Sequence, residues 1–350
     1  MRHLKGLLLG IAVVLTMGQS QAQQTEIYTH PYEAYDRARS LFEKGQYVQA
    51  KNQFAKLIEE TPEPHSEIRI DAEYYYAICA LELQQRNAEH EVEEFVRAHP
   101  ASPRVDEITW RTANHYFGRR KYNDAIDWYE KLDPRLLTRS ERPEYHFKLG
   151  YSYFMREKYD ESKQHLLEVI DANTEYRASG RYYYGHIVYT EGKTASALEY
   201  FESLREDKSF GPIVPYYITQ IYYDLERWED LAESGQSLLA SATEKRAPEV
   251  ARLIGEAHYN LGEYEKALPY FERYREDGPR MKDEDYYQLG YTYYRVESYD
   301  EAIGAFNKIV DARDSLAQNA YFHLADCYLK KDQKSEALNA FESVAKLNFN

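Results

Sequence analysis

The chain has 350 residues, of which 36 are tyrosines, and a formal net charge of −15. Such an excess of carboxylates repels phosphate backbones and anionic lipid headgroups, so nucleic acid is not an expected partner. The two cysteines, Cys79 and Cys327, are too few for a fold held by disulfides, and we predict two buried, unpaired thiols.

The N-terminal residues have the pattern of a secretory signal peptide. Arg2 and Lys5 precede an apolar run from Leu7 to Met17, and Ser20-Gln21-Ala22 places small residues where signal peptidase reads them. We predict a signal peptide over residues 1–22, export, and a polar leader over residues 23–31. No later segment is apolar enough to span a membrane, so we expect no integral membrane segment after cleavage. An uncleaved N-terminal anchor is the alternative.

The rest of the chain repeats every 34 to 39 residues. The clearest copy, Tyr286–Val310, contains two helical stripes separated by a polar break, which predicts a helix-turn-helix hairpin. Gly290 and Ala302 lack bulk where the two helices cross, while Tyr293 and Phe306 fill the space beside them. We call the place of Gly290 the marker position. Its equivalents are Ala38, Ala77, Ala113, Gly150, Gly185, Thr219, Gly255 and Ala325.

Nine hairpins are therefore predicted in chain order. Seven follow the pattern, over residues 35–58, 110–132, 145–170, 182–204, 252–274, 286–310 and 322–345. Hairpin 2, around Ala77, has no glycine in its turn. Hairpin 6 is the least regular, because Thr219 takes the marker position and Gly235 replaces the aromatic residue of the second helix.

Two prolines predict departures from regular stacking. Gly211-Pro212 predicts an irregular joint over residues 205–215, and we expect residues 205–240 to be the part of the array that opens most easily. Pro269 falls in the second helix of hairpin 7, so that helix should either start late or be kinked.

A period near 34 with small and aromatic residues in this order resembles the tetratricopeptide repeat. The resemblance covers about residues 32–349. It implies an all-α, right-handed α-solenoid with repeats 1–5 over residues 32–204 and repeats 6–9 over residues 216–350. The last repeat has no polar cap helix after it, for which two interpretations stay open. Either the array continues beyond residue 350, or its end docks onto a partner.

No catalytic motif stands out in the sequence. HExxH, CxxC, GxSxG and glycine-rich phosphate loops are all missing, and the histidines fall at different repeat positions. We therefore predict no enzyme activity, no cofactor and no metal.

The resemblance also implies a binding face. In tetratricopeptide proteins the first helix of each hairpin lines the concave face, and ligand contacts concentrate three residues before, one after and four after the marker position. Aromatic residues and one histidine hold most of these places here. We take as candidate partner-binding residues Tyr35, Trp110, Phe117, Phe147, Tyr151, Phe154, Tyr182, His186, Tyr189, Tyr216, Tyr223, Tyr259, Tyr287, Tyr291 and Tyr294.

Rigid aromatic rings with polar tips suit an extended peptide, and they also suit sugar rings. The alternative is that these rings serve packing alone. The lysine and asparagine of the family's carboxylate clamp are replaced, by Tyr35 and Arg39 in repeat 1 and by Phe147 and Tyr151 in repeat 4. The clamp is thus missing, which argues against an adaptor for cytosolic chaperone tails.

These features favour a non-catalytic periplasmic scaffold that binds a protein or extended peptide in envelope assembly, secretion or cell-wall coordination. It would be soluble or held at the outer membrane through a partner. A module that binds carbohydrate or peptidoglycan is one alternative. The N-terminal part of a larger protein, with an activity beyond residue 350, is the other.

Overall fold

The computed structural model describes residues 32–347, and all regular secondary structure in that range is α-helical. The described residues fall into two compact units, unit 1 (32–162) and unit 2 (163–347). The predicted all-α helical repeat fold is confirmed. The predicted signal peptide, leader and final three residues lie outside the described range.

Unit 1 contains seven complete helices. They are α1 at 32–43, α2 at Tyr47–Glu60, α3 at Glu67–Glu82, α4 at Ala88–Ala98, α5 at Arg104–Gly118, α6 at Tyr122–Tyr129 and α7 at Glu141–Met155. Helix α8, Tyr159–Ile170, crosses the limit between the units.

Unit 2 contains ten complete helices. They are α9 at Tyr176–Thr190, α10 at Thr194–Glu202, α11 at Val214–Asp224, α12 at Trp228–Ser241, α13 at Ala247–Asn260, α14 at Tyr264–Asp277, α15 at Asp283–Arg295, α16 at Tyr299–Phe306, α17 at Ser315–Lys330 and α18 at Lys334–Leu347. The helices of the described chain thus follow one another as nine hairpins, from α1/α2 to α17/α18.

Small and aromatic residues interlock where the two helices of a hairpin cross. All nine marker residues are buried, as predicted. A Cβ atom added to Gly290 would lie 2.9 Å from the Phe306 ring, and one added to Gly255 would lie 2.9 Å from the Phe271 ring. The second-helix aromatics are almost completely buried in five hairpins, at Phe54, Tyr129, Phe201, Phe271 and Phe306. Close approach of the backbones therefore depends on a missing or minimal side chain on the first helix.

Every hairpin turn places one residue in the left-handed region of backbone space. Glycine takes this position in three hairpins, at Gly45, Gly192 and Gly262. Six hairpins use a larger residue instead, namely Gln84, Arg120, Glu157, Glu226, Glu297 and Asp332. The missing glycine in the turn of hairpin 2 is thus the commoner arrangement in this chain, although a side chain at positive φ is strained.

A recurring hydrogen bond links successive hairpins through buried tyrosines. Tyr222 donates to Glu202 of the preceding hairpin at 3.1 Å, and Tyr293 donates to Glu272 at 2.7 Å. Tyr153 donates to Glu130 in the same way within unit 1. These tyrosines stand three residues after the marker position, and their rings are buried. The ring fills the joint while the hydroxyl retains a polar partner.

Hairpins 6 and 7 each contain one irregular sequence feature, Gly235 and Pro269. In hairpin 6, Gly235 leaves no gap, because Ile254 of α13 occupies the space and its Cγ2 would lie 2.7 Å from an added Cβ. In hairpin 7, α14 begins at Tyr264 and continues through Pro269, so of the two predicted alternatives the late start is excluded and the kink stays a prediction. At this position proline removes the hydrogen bond to the carbonyl of Glu265 and its ring crowds that carbonyl. Easier opening of residues 205–240 stays a prediction.

Candidate functional site

The candidate partner-binding residues share one degree of burial. All fifteen are half-buried, so each has part of its ring in the packed interior and part open to solvent. We call the six in unit 1 and the nine in unit 2 the aromatic stripes of those units. Both interpretations, packing and ligand contact, therefore apply to the same side chains.

In unit 1 the stripe is a series of small ring contacts. Phe117, Tyr122 and Tyr151 form a triangle with ring centroids 5.7 to 6.1 Å apart. Phe147 stacks on Tyr151 at 5.9 Å. The other members touch neighbouring rings: Tyr35 meets Tyr75, Trp110 meets Tyr129, and Phe154 meets Tyr159.

The cations beside this stripe have carboxylate partners. Arg104 binds both oxygens of Asp71, at 2.8 and 3.0 Å, and also Glu107, while its guanidinium lies 4.9 Å from the Tyr74 ring centroid. Tyr35 donates to the same Asp71 at 2.9 Å. The hydrogen bonds and charge of Asp71 and Glu107 raise the pKa of Arg104 above its ordinary value. The positive charge of Arg104 is therefore paired with two carboxylates of the same unit.

A cavity of 790 Å³ adjoins the stripe at Trp110. Its walls come from α3, α5 and the start of α7, and they include Glu107, Arg111, His115 and Arg119. Burial lowers the pKa of His115, so the neutral ring is favoured there. The walls of the cavity are polar and carry charges of both signs, and Trp110 forms part of them.

In unit 2 the stripe forms a first aromatic cluster around Tyr217. This ring stacks on Phe201 at 4.9 Å. It also meets Tyr182 at 6.1 Å, His186 at 5.7 Å and Tyr189 at 6.1 Å. Tyr216, its neighbour in sequence, is 5.4 Å away. Four of the predicted candidates on α9 and α11 are thus brought together by a residue outside the predicted set, whereas the fifth, Tyr223, meets Trp228 at 5.2 Å.

The joint between α10 and α11 adds a further ring to this cluster. Phe210 stacks on Tyr182 with centroids 4.6 Å apart and planes at 22°. Asp207 fixes the joint by accepting hydrogen bonds from the amides of Ser209 and Phe210. The predicted irregular joint is therefore a structured segment that covers one end of Tyr182.

A second aromatic cluster in unit 2 surrounds Tyr291. Tyr259 and Tyr264 lie 5.8 and 5.7 Å from it, and Tyr287 stacks on it at 6.3 Å. His323 of α17 lies 4.9 Å from the same ring. His323 also meets Tyr294 at 5.3 Å and stacks on Phe306. Three hairpins thus contribute to one continuous aromatic surface.

Helix α13 carries a buried ion pair. Glu256 is 3% exposed and pairs with Arg252, which also contacts Glu249 at 2.8 Å. Burial raises the pKa of Glu256 although Arg252 opposes the shift. Burial and the neighbouring Glu256 carboxylate together raise the pKa of Tyr223 to about 12. In this middle section the one cation, Arg252, is shared between two carboxylates.

The carboxylates on the stripe of unit 2 accept hydrogen bonds from its tyrosines. Tyr189 donates to Asp224 at 3.3 Å, and Tyr294 donates to Asp326 at 2.6 Å. That bond is the main reason why the pKa of Tyr294 rises to about 12. The hydroxyl groups at this edge are therefore ordered, with their protons directed at the next hairpin.

Two arginines lie on the stripe of unit 2 without an acid partner. Arg246 stands over Tyr216 at 4.1 Å, and Arg295 stands over Tyr264 at 4.2 Å. Arg295 also donates to the hydroxyls of Tyr264 and Tyr291, at 3.1 and 3.2 Å. Within the described part of the chain, no carboxylate oxygen lies within 4.0 Å of either guanidinium.

Three residues with central ring contacts, one in unit 1 and two in unit 2, were missed by the sequence prediction. Tyr75, Tyr217 and His323 all stand two residues before the marker position of their hairpins. Each reaches back to rings of the preceding hairpin, as Tyr75 does to Tyr35 at 6.2 Å. Aromatic residues at this spacing were visible in the sequence, but the prediction used only the three family positions.

The described residues give little support for thiol or metal chemistry. Cys79 and Cys327 are buried and unpaired, as predicted, and burial raises the pKa of each thiol to about 12. Within residues 32–347, no group of three or more His, Cys, Asp or Glu side chains could hold a metal ion.

A helix that spans a membrane must be both long and apolar. None of the described helices combines the length and the apolarity needed to cross a bilayer.

Sequence comparison identifies repeats in parts of the chain. Residues 147–212 and 220–281 match the tetratricopeptide repeat model. Residues 260–344 match the model of anaphase-promoting complex, cyclosome, subunit 3. No curated protein matches the chain.

Several solved structures are similar to this chain at low sequence identity. The C-terminal part of a TPR repeat-containing protein from Cytophaga hutchinsonii is 18% identical, with 69% of this chain and 96% of that chain covered and a TM-score of 0.48. YrrB, described as a TPR protein with an unusual peptide-binding site, is 18% identical over 52% of this chain and 92% of its own, with a TM-score of 0.45. MamA is 19% identical over 50% and 93%, with a TM-score of 0.42.

Proposed function

Because this chain contains tetratricopeptide repeats, we propose that it is a non-catalytic scaffold that binds another protein, or an extended peptide, along the aromatic stripe of unit 2. Tetratricopeptide repeat proteins are generally scaffolds of this kind. The observation that carries the proposal is the pair of aromatic clusters around Tyr217 and Tyr291, whose rings are half-buried.

The physical argument concerns the cost of ordering a binding surface. The tyrosines are already held by ring contacts and by bonds such as Tyr294 to Asp326. A partner therefore gains contact with large rings without paying to immobilise them. Rings with polar tips also tolerate solvent in the free protein, which a purely aliphatic surface of the same size tolerates poorly.

The test combines four substitutions on the stripe with four matched ones elsewhere in unit 2. The stripe variant changes Tyr182, Tyr189, Tyr216 and Tyr223 to alanine. The control variant changes Tyr184, Tyr200, Tyr270 and Tyr321, which are also half-buried but lie outside the stripe. In a pulldown from envelope extract, we expect the stripe variant to recover at least about tenfold less partner, because aromatic anchors dominate interfaces.

The control should recover the partner within about twofold of wild type. Far-UV circular dichroism of both variants checks that they remain folded. Equal recovery by a folded stripe variant would exclude this face as the binding surface.

We further propose export to the periplasm and a role in envelope assembly, secretion or cell-wall coordination. The support is the sequence of residues 1–22, with its basic start, apolar run and Ser20-Gln21-Ala22. Osmotic-shock release followed by N-terminal sequencing tests the proposal. We expect the mature chain in the periplasmic fraction with Gln23 as its first residue. A chain that stays in the cytosol with an intact N-terminus would contradict it.

A further inference from the structure

We infer that Arg246 and Arg295 read carboxylate side chains of the bound peptide, so that the partner of the unit 2 stripe is an acidic segment with aromatic or apolar residues between its acids. This inference rests on the proposed function of the stripe. It adds the chemical class of the ligand and the two residues that select it.

The first step is the contrast among arginines that lie on tyrosine rings in unit 2. Arg227 lies over Tyr222 at 4.9 Å and pairs with Asp230 at 2.7 Å. Arg252 lies over Tyr274 and pairs with Glu249. Each of these guanidiniums has its acid within the chain. Arg246 and Arg295 have the same ring contact and no such acid among the described residues.

The second step is where these two arginines stand. Arg246 caps the first aromatic cluster through Tyr216, which touches Tyr217. Arg295 caps the second cluster, because its two hydroxyl partners include the central ring, Tyr291. Each unpaired cation thus lies at a cluster that the proposed partner would cover, and both side chains belong to exposed residues.

The third step is orientation. A guanidinium stacked on a ring presents its edge, and its five N–H donors form a planar fork that matches a carboxylate. Arg295 uses only one nitrogen for its two tyrosine hydroxyls, which leaves the other donors for a ligand. A ligand carboxylate would meet a cation whose position is already fixed, so little entropy is lost.

The nearby carboxylates accept hydrogen bonds from other side chains of unit 2. Asp224 accepts hydrogen bonds from Tyr189 and Gln220, and Asp326 accepts one from Tyr294. Glu256 is paired with Arg252 and buried. The stripe acids are therefore bonded within the chain, whereas the guanidiniums retain open donors. In a chain with a net charge of −15, two such cations at one surface mark where an acid is accepted.

The experiment pans a phage-displayed library of random 12-residue peptides against the full chain. Three proteins are compared: wild type, the double variant Arg246→Gln/Arg295→Gln, and the control Arg227→Gln. We expect wild type and control to enrich peptides with Asp or Glu beside aromatic residues. The double variant should lose the acid enrichment. In fluorescence anisotropy, a selected acidic peptide should bind the double variant at least tenfold more weakly, and the control within twofold of wild type.

The outcomes separate the inference from the function on which it rests. Enrichment of neutral or basic peptides whose binding is lost in the four-tyrosine stripe variant would overturn the acidic preference and leave the stripe as the binding face. Acid enrichment that survives in the double variant would overturn the assignment of Arg246 and Arg295. Failure to enrich any peptide above the unselected library would contradict both the inference and the peptide-binding function.

Discussion

The aromatic stripes of the two units differ in how their arginines are satisfied. In unit 1, Arg104 lies over the Tyr74 ring and is held by Asp71 and Glu107. In unit 2, Arg246 and Arg295 lie over tyrosine rings and have no carboxylate within 4.0 Å among the described residues. The same ring contact therefore belongs to an acid-paired network at Arg104 and to an unpaired cation at Arg246 and Arg295.

This difference separates two uses of one structural pattern. A cation that is hydrogen-bonded on several sides links hairpins and contributes to stability. A cation with open donors contributes little to stability and is available to a ligand. The ring that carries the arginine is tyrosine in both units, so the number of acids around the guanidinium, and not the aromatic residue, distinguishes the two cases.

The largest expected difference in stability is between a variant that lacks the acid-paired Arg104 and a variant that lacks the unpaired Arg295. Arg104→Gln should lower the free energy of unfolding by about 2 kcal/mol, because hydrogen bonds to two carboxylates are lost and both acids stay partly buried. Arg295→Gln should change it by less than about 0.5 kcal/mol, since an exposed cation stabilises little. Urea denaturation measures both, and hydrogen exchange of α3 and α5 locates the Arg104 effect. Equal losses in the two variants would break the comparison.

A smaller effect of the same size in both units should come from the hairpin turns. Arg120→Gly in unit 1 and Glu297→Gly in unit 2 should each stabilise the fold by about 0.5–1 kcal/mol, because both positions have φ near +60°. The converse change, Gly262→Ala, should destabilise by about 1 kcal/mol. The midpoints of thermal unfolding measure the three variants. A gain in only one unit would show that the units differ in more than their stripes.

The smallest expected effect is a pH dependence centred on the clusters of unit 2. Burial lowers the pKa of His186 and of His323 from 6.5, so the folded state favours the neutral rings. Below pH 6.5 the unfolded chain binds protons that the folded chain does not, and stability falls as the pH decreases. Above pH 6.5 this contribution is fully present.

The measurement is the urea midpoint at pH 7.5 and pH 5.5. The double variant His186→Gln/His323→Gln should show a smaller drop between these values than wild type. The remaining drop would include His115 of unit 1, whose pKa burial also lowers. An unchanged drop would show that the two rings are not the source.

The sequence predicted the fold well because the same pattern of small and aromatic residues recurs along the chain. Gly290 could be matched with a marker residue in eight other hairpins and Phe306 with an aromatic residue in five, so the crossing of the helices was visible without a structure. Half-burial of the candidate stripe residues also agrees with helical periodicity. The residues that join one hairpin to the next were harder to find, since Tyr217 and His323 acquire neighbours only when a second hairpin stacks on the first.

The arginines show where a periodic pattern stops being informative. Arg246 lies just before α13, outside the hairpin positions that repeat, and nothing in its spacing connects it with Tyr216. Arg295 stands five residues after the marker Gly290, next to the stripe residue Tyr294, but its lack of an acid partner depends on side chains from several helices. Whether a charge is paired is a property of packing, which one helix period does not encode.

The tyrosine-to-glutamate bond between hairpins has an implication for how the array changes length. Tyr222 and Tyr293 each donate to an acid on the hairpin before them, Glu202 and Glu272, with the donor always on the later hairpin. The acids lie on hairpins 5 and 7 and the tyrosines on hairpins 6 and 8, so duplication of a pair such as hairpins 7 and 8 copies both members of the bond. Gain or loss of hairpins in such pairs preserves this hydrogen bond, whereas gain or loss of a single hairpin would leave a tyrosine or an acid of this kind without its partner.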